Sequence, residues 1–192
     1  MKKIIFTALF SLPIFLSAGQ YVGFHGGTDY SYKTNDSNAG QKVGYAVGLV
    51  YGKDLGDQIR AEAEITFRNG SKRKVYVDKG VDQLESKKYE SKHSWSYMIN
   101  LIYDVNQLTT YKLTPYFGLG VGYGNNVTEL KIKYDSHSDS EKRRDSDFAW
   151  QGLIGLSYPV ADGILSRVQY CYHRGEQHSI SHSVTAAIVK AF

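Results

Sequence analysis

The chain has 192 residues, 42% of them hydrophobic and 14% aromatic, with 16 tyrosines and a formal net charge of +4. So small a positive excess excludes a general nucleic-acid binder, and the lone cysteine, Cys171, excludes an internal disulfide. Beyond residue 18 no apolar run is long enough to cross a bilayer as a helix, which takes about 20 residues.

Residues 1–18 read as a removable export signal. Lys2 and Lys3 precede an apolar run from Ile4 to Leu16, and Ser17-Ala18-Gly19 supplies small residues for cleavage. Cleavage after Ala18 leaves a single domain, residues 19–192, and the loss of the two lysines lowers the charge to +2.

The first strand is expected over Tyr21–Tyr32, followed by a turn-rich loop at Lys33–Gly40. Lys42–Gly52 alternates: Val43, Tyr45, Val47, Leu49 and Tyr51 share one parity, and Gly44, Ala46, Gly48 and Gly52 the other. Asp54-Leu55-Gly56-Asp57 is a turn. Gln58–Arg68 is the most informative interior strand. Ile59, Ala61, Ala63, Ile65 and Phe67 point one way, and Arg60, Glu62, Glu64, Thr66 and Arg68 the other. A soluble sandwich would also expose such charges. In a membrane, charge in hydrocarbon is costly, so this face must look into a polar interior.

Asn69–Lys92 reads as a long charged loop, in which Val75-Tyr76-Val77 extends a strand. His93–Asp104 places Trp95, Tyr97, Ile99, Leu101 and Tyr103 toward lipid, with Ser94, Ser96, Met98, Asn100 and Asp104 inward. Val105–Leu113 is a connection. Thr114–Asn125 alternates Phe117, Leu119, Val121 and Tyr123 with Gly118, Gly120, Gly122 and Gly124; the glycines would leave room for larger side chains from the opposite wall. Asn126–Asp147 is the second long loop. Phe148–Tyr158 and Ile164–Arg174 follow, joined by a turn at Pro159–Gly163. In the latter strand Arg167, Gln169, Cys171 and His173 face in. After Gly175–His178, the stretch His182–Phe192 alternates apolar residues and ends on Phe192, which suits a strand against lipid. The sum is an all-β chain: an eight-stranded antiparallel up-and-down transmembrane barrel with long external loops and short periplasmic turns.

The stretches SWSYMINLIYDV, TPYFGLGVGYGN and DFAWQGLIGLSYPV, with the terminal Phe192, resemble small outer-membrane surface proteins of the opacity-protein, OmpA-barrel and rickettsial surface-antigen type, some of which are called porins. The resemblance covers strands two to eight and none of the loops. It implies the outer membrane of a Gram-negative cell and a role as adhesin, surface antigen or structural protein. Lys190 departs from the pattern, because related closing strands carry an apolar or aromatic residue there.

Eight strands leave an interior just large enough for side chains. Arg60, Glu62, Glu64, Arg68 and Arg167 are therefore expected to form a lumen polar network that plugs the barrel, with a gated ion path as the alternative. His173, Glu176, His178, Ser179, Ser181 and His182 lie on the correct side for a lipid-modifying enzyme, but such residues are common in loops. The alternating Asp135, His137, Asp139 and Glu141 lack the glycine and final glutamate of a calcium loop. No catalytic set, metal or cofactor is therefore expected.

Lys72, Arg73, Lys74, Lys87, Lys88, Lys142, Arg143 and Arg144, together with Lys92, form an external basic surface suited to lipopolysaccharide phosphates or a host polyanion. Phe192 is expected to be the signal read by the barrel assembly machinery. The expected whole is a monomeric, non-enzymatic surface protein whose loops mediate adhesion or recognition. A narrow ion-conducting or purely structural barrel, or an enzyme acting on lipid A, are the alternatives.

Overall fold

The computed structural model describes residues 19–33, 42–69, 72–75, 84–105, 112–134, 138–175 and 179–192. The expected signal segment, residues 1–18, lies outside them. All regular structure among the described residues is strand: β1 (Gln20–Lys33), β2 (Lys42–Gly56), β3 (Ile59–Asn69), β4 (Lys72–Val75), β5 (Leu84–Asp104), β6 (Thr114–Tyr134), β7 (Ser138–Ala161), β8 (Ile164–Arg174) and β9 (Ser179–Ala191). Each pairs antiparallel with its neighbours in the order β3-β2-β1-β9-β8-β7-β6-β5-β4, and β3 also pairs with β5. That last pairing closes eight strands into a barrel, with β4 as a short ladder added above β3. Closure matters because hydrocarbon offers no partner to an open edge.

The register fixes the barrel's shape. Paired residues run from Arg68 through Ala46, Gly27, Thr185, Gln169, Gly155 and Tyr116 to Asp104. Asp104 is bonded to the Gln58 carbonyl. One circuit thus returns to the same segment at Gln58, ten residues below Arg68. A stagger of ten over eight strands gives a tilt of about 40–45° and a narrow interior.

The two faces invert the arrangement of a soluble protein. Ile99, Leu119 and Ile154 are 60%, 69% and 60% exposed, whereas Asn100 and Gln151 are fully enclosed. Aromatic residues gather near both ends of the apolar band, Trp95, Tyr123 and Phe148 at one and Tyr51, Tyr103 and Phe117 at the other, as expected at membrane–water interfaces. Inside, a small apolar cluster of Ile102, Tyr116, Leu153 and Cys171 interrupts the polar filling.

Several sequence boundaries shift. The first turn falls at Asp57–Gln58, with φ of 52° and 68°, so β2 extends to Gly56 and β3 begins at Ile59 rather than Gln58. Such paired positive φ values match the twist of a hairpin. The closing strand begins at Ser179, directly after the expected Gly175–His178 loop and three residues before the alternating stretch from His182.

The larger correction concerns the two long loops. Much of them is ladder: β5 begins at Leu84, β6 continues to Tyr134 and β7 begins at Ser138. Among the described residues β5, β6 and β7, flanked by β4, therefore rise beyond β8, which reaches only to Arg174 opposite Trp150. Residues 76 and 77 of the Val75-Tyr76-Val77 extension lie outside the described residues. The inward glycines also act differently than expected. A Cβ on Gly120 would meet the Asn100 side chain at 2.0 Å, and one on Gly118 the Ile102 side chain at 2.9 Å. Both partners sit directly opposite on β5. The neighbouring strand, not the far wall, fills that room.

Candidate functional site

Alternation along β3 sends Arg60, Glu62, Glu64, Thr66 and Arg68 inward, and all five are buried. They organise three tiers of polar side chains stacked along the lumen.

The lowest tier centres on Glu62. Its Oε1 accepts from Tyr21 at 2.5 Å, Arg60 at 3.0 Å and Arg167 at 2.7 Å. Arg167 stands on β8, four strands from β3 in either direction, so this bond joins opposite walls. Arg60 is also clamped on Asp104 by two bonds, Nε to Oδ2 at 2.7 Å and Nη2 to Oδ1 at 2.8 Å. The two guanidiniums flank aromatic rings: Arg60 lies 5.2 Å from the Tyr116 centroid and Arg167 lies 4.8 Å from that of Tyr21, within cation–π range. Each ring covers a glycine on the adjacent strand, Tyr21 over Gly52 and Tyr116 over Gly155.

The middle tier centres on Glu64. It accepts from Thr66 at 2.5 Å, Asn100 at 2.9 Å and Gln151 at 3.0 Å. His25 Nε2 stands 3.2 Å from the Thr66 hydroxyl. Gln151 further donates to the Asn100 carbonyl oxygen at 2.8 Å, and its own carbonyl oxygen lies 3.4 Å from His173 Nδ1. Cys171 points at that same oxygen at 3.6 Å.

The upper tier holds Arg68, which donates to Ser96 at 2.5 Å and whose Nε stands 3.6 Å from Asp29. Asp29 also accepts from Ser31 and Ser181. A crevice of about 50 Å³ opens there, lined among others by Arg68, Ser96, Asn125 and His173. That volume is room for water. Across the tiers, among the described residues, three guanidiniums meet four carboxylates with His25 beside Glu64. Charges so nearly balanced and bonded make an interior affordable in low dielectric.

The five expected network residues therefore lie together inside, distributed over three tiers. Sequence reasoning missed Tyr21, His25, Asp29, Tyr116 and Gln151, whose inward parity was the available signal. Four of the six enzyme candidates, His173, Ser179, Ser181 and His182, lie among the described residues. Ser181 is engaged with Asp29, and His173 with Gln151. His182 is on the outer face, 2.5 Å from the Tyr170 hydroxyl, while residues 176–178 lie outside the described residues. Of the alternating acidic set, Asp135 and His137 also lie outside them, and among the described residues no group of His, Cys, Asp and Glu is placed to hold a metal.

The basic residues of the external surface fall on the rising ladder, Lys72, Arg73 and Lys74 on β4, Lys87, Lys88 and Lys92 on β5, and Lys142, Arg143 and Arg144 on β7. At the other end, the Phe192 amide donates to the Gln20 carbonyl at 2.9 Å, and the Lys190 amine reaches the Asp162 carbonyl at 3.2 Å. The departure at Lys190 is thus accommodated at the rim, where a long stem lets the charge leave hydrocarbon.

Outer membrane protein PagN of Salmonella typhimurium strain LT2 is 28% identical over 145 residues, 72% of this chain and 59% of that protein. The chain thus spans about three-fifths of the length of that curated relative. Among solved structures, Neisserial surface protein A superposes with a TM-score of 0.62 at 15% identity, covering 91% of this chain and 98% of that one. Ail of Yersinia pestis, in complex with the heparin analogue sucrose octasulfate, gives 0.52 at 12% identity over 92% and 100%. These likenesses show the fold, a small eight-stranded barrel of the outer membrane. Residues 4–186 match the family described as the outer membrane protein beta-barrel domain, and the chain belongs to that family.

Proposed function

We propose that the protein is a non-enzymatic surface-recognition barrel, in which a filled lumen serves as anchor and the rising β4–β7 ladder meets partners outside the cell. The observation that carries this reading is the bond between Arg167 and Glu62 across opposite walls, which leaves the interior as plug and the ladder as working part. The basic residues of the ladder suit an anionic partner. The heparin analogue bound by Ail supports a polyanion, in our reading one on a host surface, as the ligand class. In this reading residues 1–18 are removed on export, the barrel is inserted by the assembly machinery reading Phe192, and the product is a monomer surrounded by lipopolysaccharide.

The test compares cells displaying the native chain with cells displaying one whose residues 71–91 and 127–146 are replaced by short turns. Folding of both is checked by the gel shift of unboiled samples. Native cells are expected to bind host cells and immobilised heparin, and trimmed cells to lose that binding. Equal binding by both, or by neither, contradicts the reading and leaves a structural role.

A further inference from the structure

Above the outer aromatic ring, the ladder exchanges the polarity of its two faces. β6 pairs with β7 without a break from Thr114 opposite Ser157 to Lys133 opposite Ser138, so alternation carries through. The face that bears Val121 and Tyr123 toward lipid continues, by register, with Val127, Glu129, Lys131 and Lys133. The lumen-side face continues with Thr128, Leu130, Ile132 and Tyr134. Cross-strand partners share a face. One row of the lipid-side face runs Lys74, Lys88, Lys131, Ser140, and another runs Lys72, Glu90, Glu129, Lys142. Arg144 sits opposite Val127 on that face. The opposite face has the rows Arg73, Tyr89, Leu130, Glu141 and Val75, Lys87, Ile132, Asp139.

A bulge in β5 between Ser91 and His93 sets this division. Without its extra residue, Tyr89 would stand opposite Lys131 and the lysine row would be broken. Sequence alone puts all these basic residues in one class. The register splits them, and it adds Lys131 and Lys133 to the basic face while assigning Arg73, Lys87 and Arg143 to the other.

We propose that the face bearing Lys74, Lys88, Lys131, Lys142 and Arg144 docks on the phosphate-bearing headgroups of the outer leaflet around the barrel. Three observations commit it to lipid. The face is continuous with the lipid-facing surface. Its charge is strongly one-sided, with Glu90 and Glu129 the acidic residues set against its lysines and Arg144. Its position is also right: Arg144 is four residues beyond the exposed Phe148 on one strand, about 13 Å along it and about 10 Å in height at the tilt above, just past the hydrocarbon edge. Anionic headgroups attract basic residues there within a Debye length. This inference stands apart from the recognition reading, since adhesion can fail with headgroup docking intact.

The test uses the full-length protein purified from the outer membrane in detergent, with lipopolysaccharide, phosphatidylcholine and soluble heparin as separate probes. One variant carries Lys88→Gln, Lys131→Gln, Lys142→Gln and Arg144→Gln. The control carries Arg73→Gln, Lys87→Gln and Arg143→Gln. The first is expected to lose about tenfold or more in lipopolysaccharide affinity at low salt, with heparin binding within about twofold of native, while the control keeps native lipopolysaccharide affinity. The native preference for lipopolysaccharide over phosphatidylcholine should shrink as salt rises. Native lipopolysaccharide affinity in the first variant, or equal loss in both, overturns the proposal. So does a loss confined to heparin, which would make this face the host-ligand site. If the fourfold variant fails the unboiled gel shift, Lys131→Gln and Lys142→Gln singly replace it, each expected to weaken lipopolysaccharide binding about threefold or more, and native affinity in both overturns the proposal.

Discussion

Glu62 receives hydrogen bonds from three strands, through Tyr21 on β1, Arg60 on β3 and Arg167 on β8. Removing it would take from the enclosed Arg167 the carboxylate it is paired with, while Arg60 keeps its clamp on Asp104, and breaking a buried pair in that way costs about 3–5 kcal/mol. Glu62→Ala should therefore lower the urea midpoint of the barrel in vesicles, followed by tryptophan fluorescence, and adding Arg167→Ala should cost much less than the sum of the two single changes. A strictly additive pair would contradict the shared network. The glycines argue from the other side. A Cβ on Gly52 would fall 2.1 Å from the Tyr21 ring, so Gly52→Val should displace that ring and cost about 1–3 kcal/mol in the same assay, whereas a substitution with no effect would show that the ring does not need the space. At this scale the sequence exposed the charged half of the network, since Arg60, Glu62 and Glu64 alternate with apolar residues. Tyr21 and Tyr116 were hidden because tyrosine also belongs in an outward belt, and only the register shows each lying across a glycine.

The strands were legible wherever lipid imposes an alternation. Ile99, Leu101 and Tyr103 are outward as their parity requires. Val121→Arg, near the middle of the band, should cost about 2–4 kcal/mol and show as poorer insertion on the unboiled gel. Lys131→Gln on the same strand but above the band should leave folding unchanged. If both substitutions behave alike, the band has been drawn in the wrong place. The same dependence on lipid explains the misread loops. Once β5, β6 and β7 leave hydrocarbon, the apolar face no longer needs to point outward, and the bulge near Ser91 shifts the pairing by one residue. A pattern that reverses its faces and slips its register reads as an irregular charged segment, although the backbone continues as ladder.

For the whole molecule, closure follows from eight strands and a stagger of ten, which bring opposite walls within reach of one arginine side chain. Eight alternating segments made the closed barrel readable, while the stagger depends on pairings that no single strand encodes. The ladder above the membrane is formed by a subset of strands, so shortening residues 71–91 and 127–146 should leave the barrel folded. Loss of the unboiled gel shift in that trimmed chain would show instead that the ladder is needed for closure. The partners of that ladder could not be named from sequence, because charge in a loop does not specify what it meets.

The most direct test of the filled-barrel account is single-channel recording of the native protein in a planar bilayer. The three bonded tiers predict no stable conductance steps of porin size, in native and trimmed chains alike. Steady porin-level openings from the native chain would contradict the account, and would move the working part of the molecule from the external ladder to the lumen.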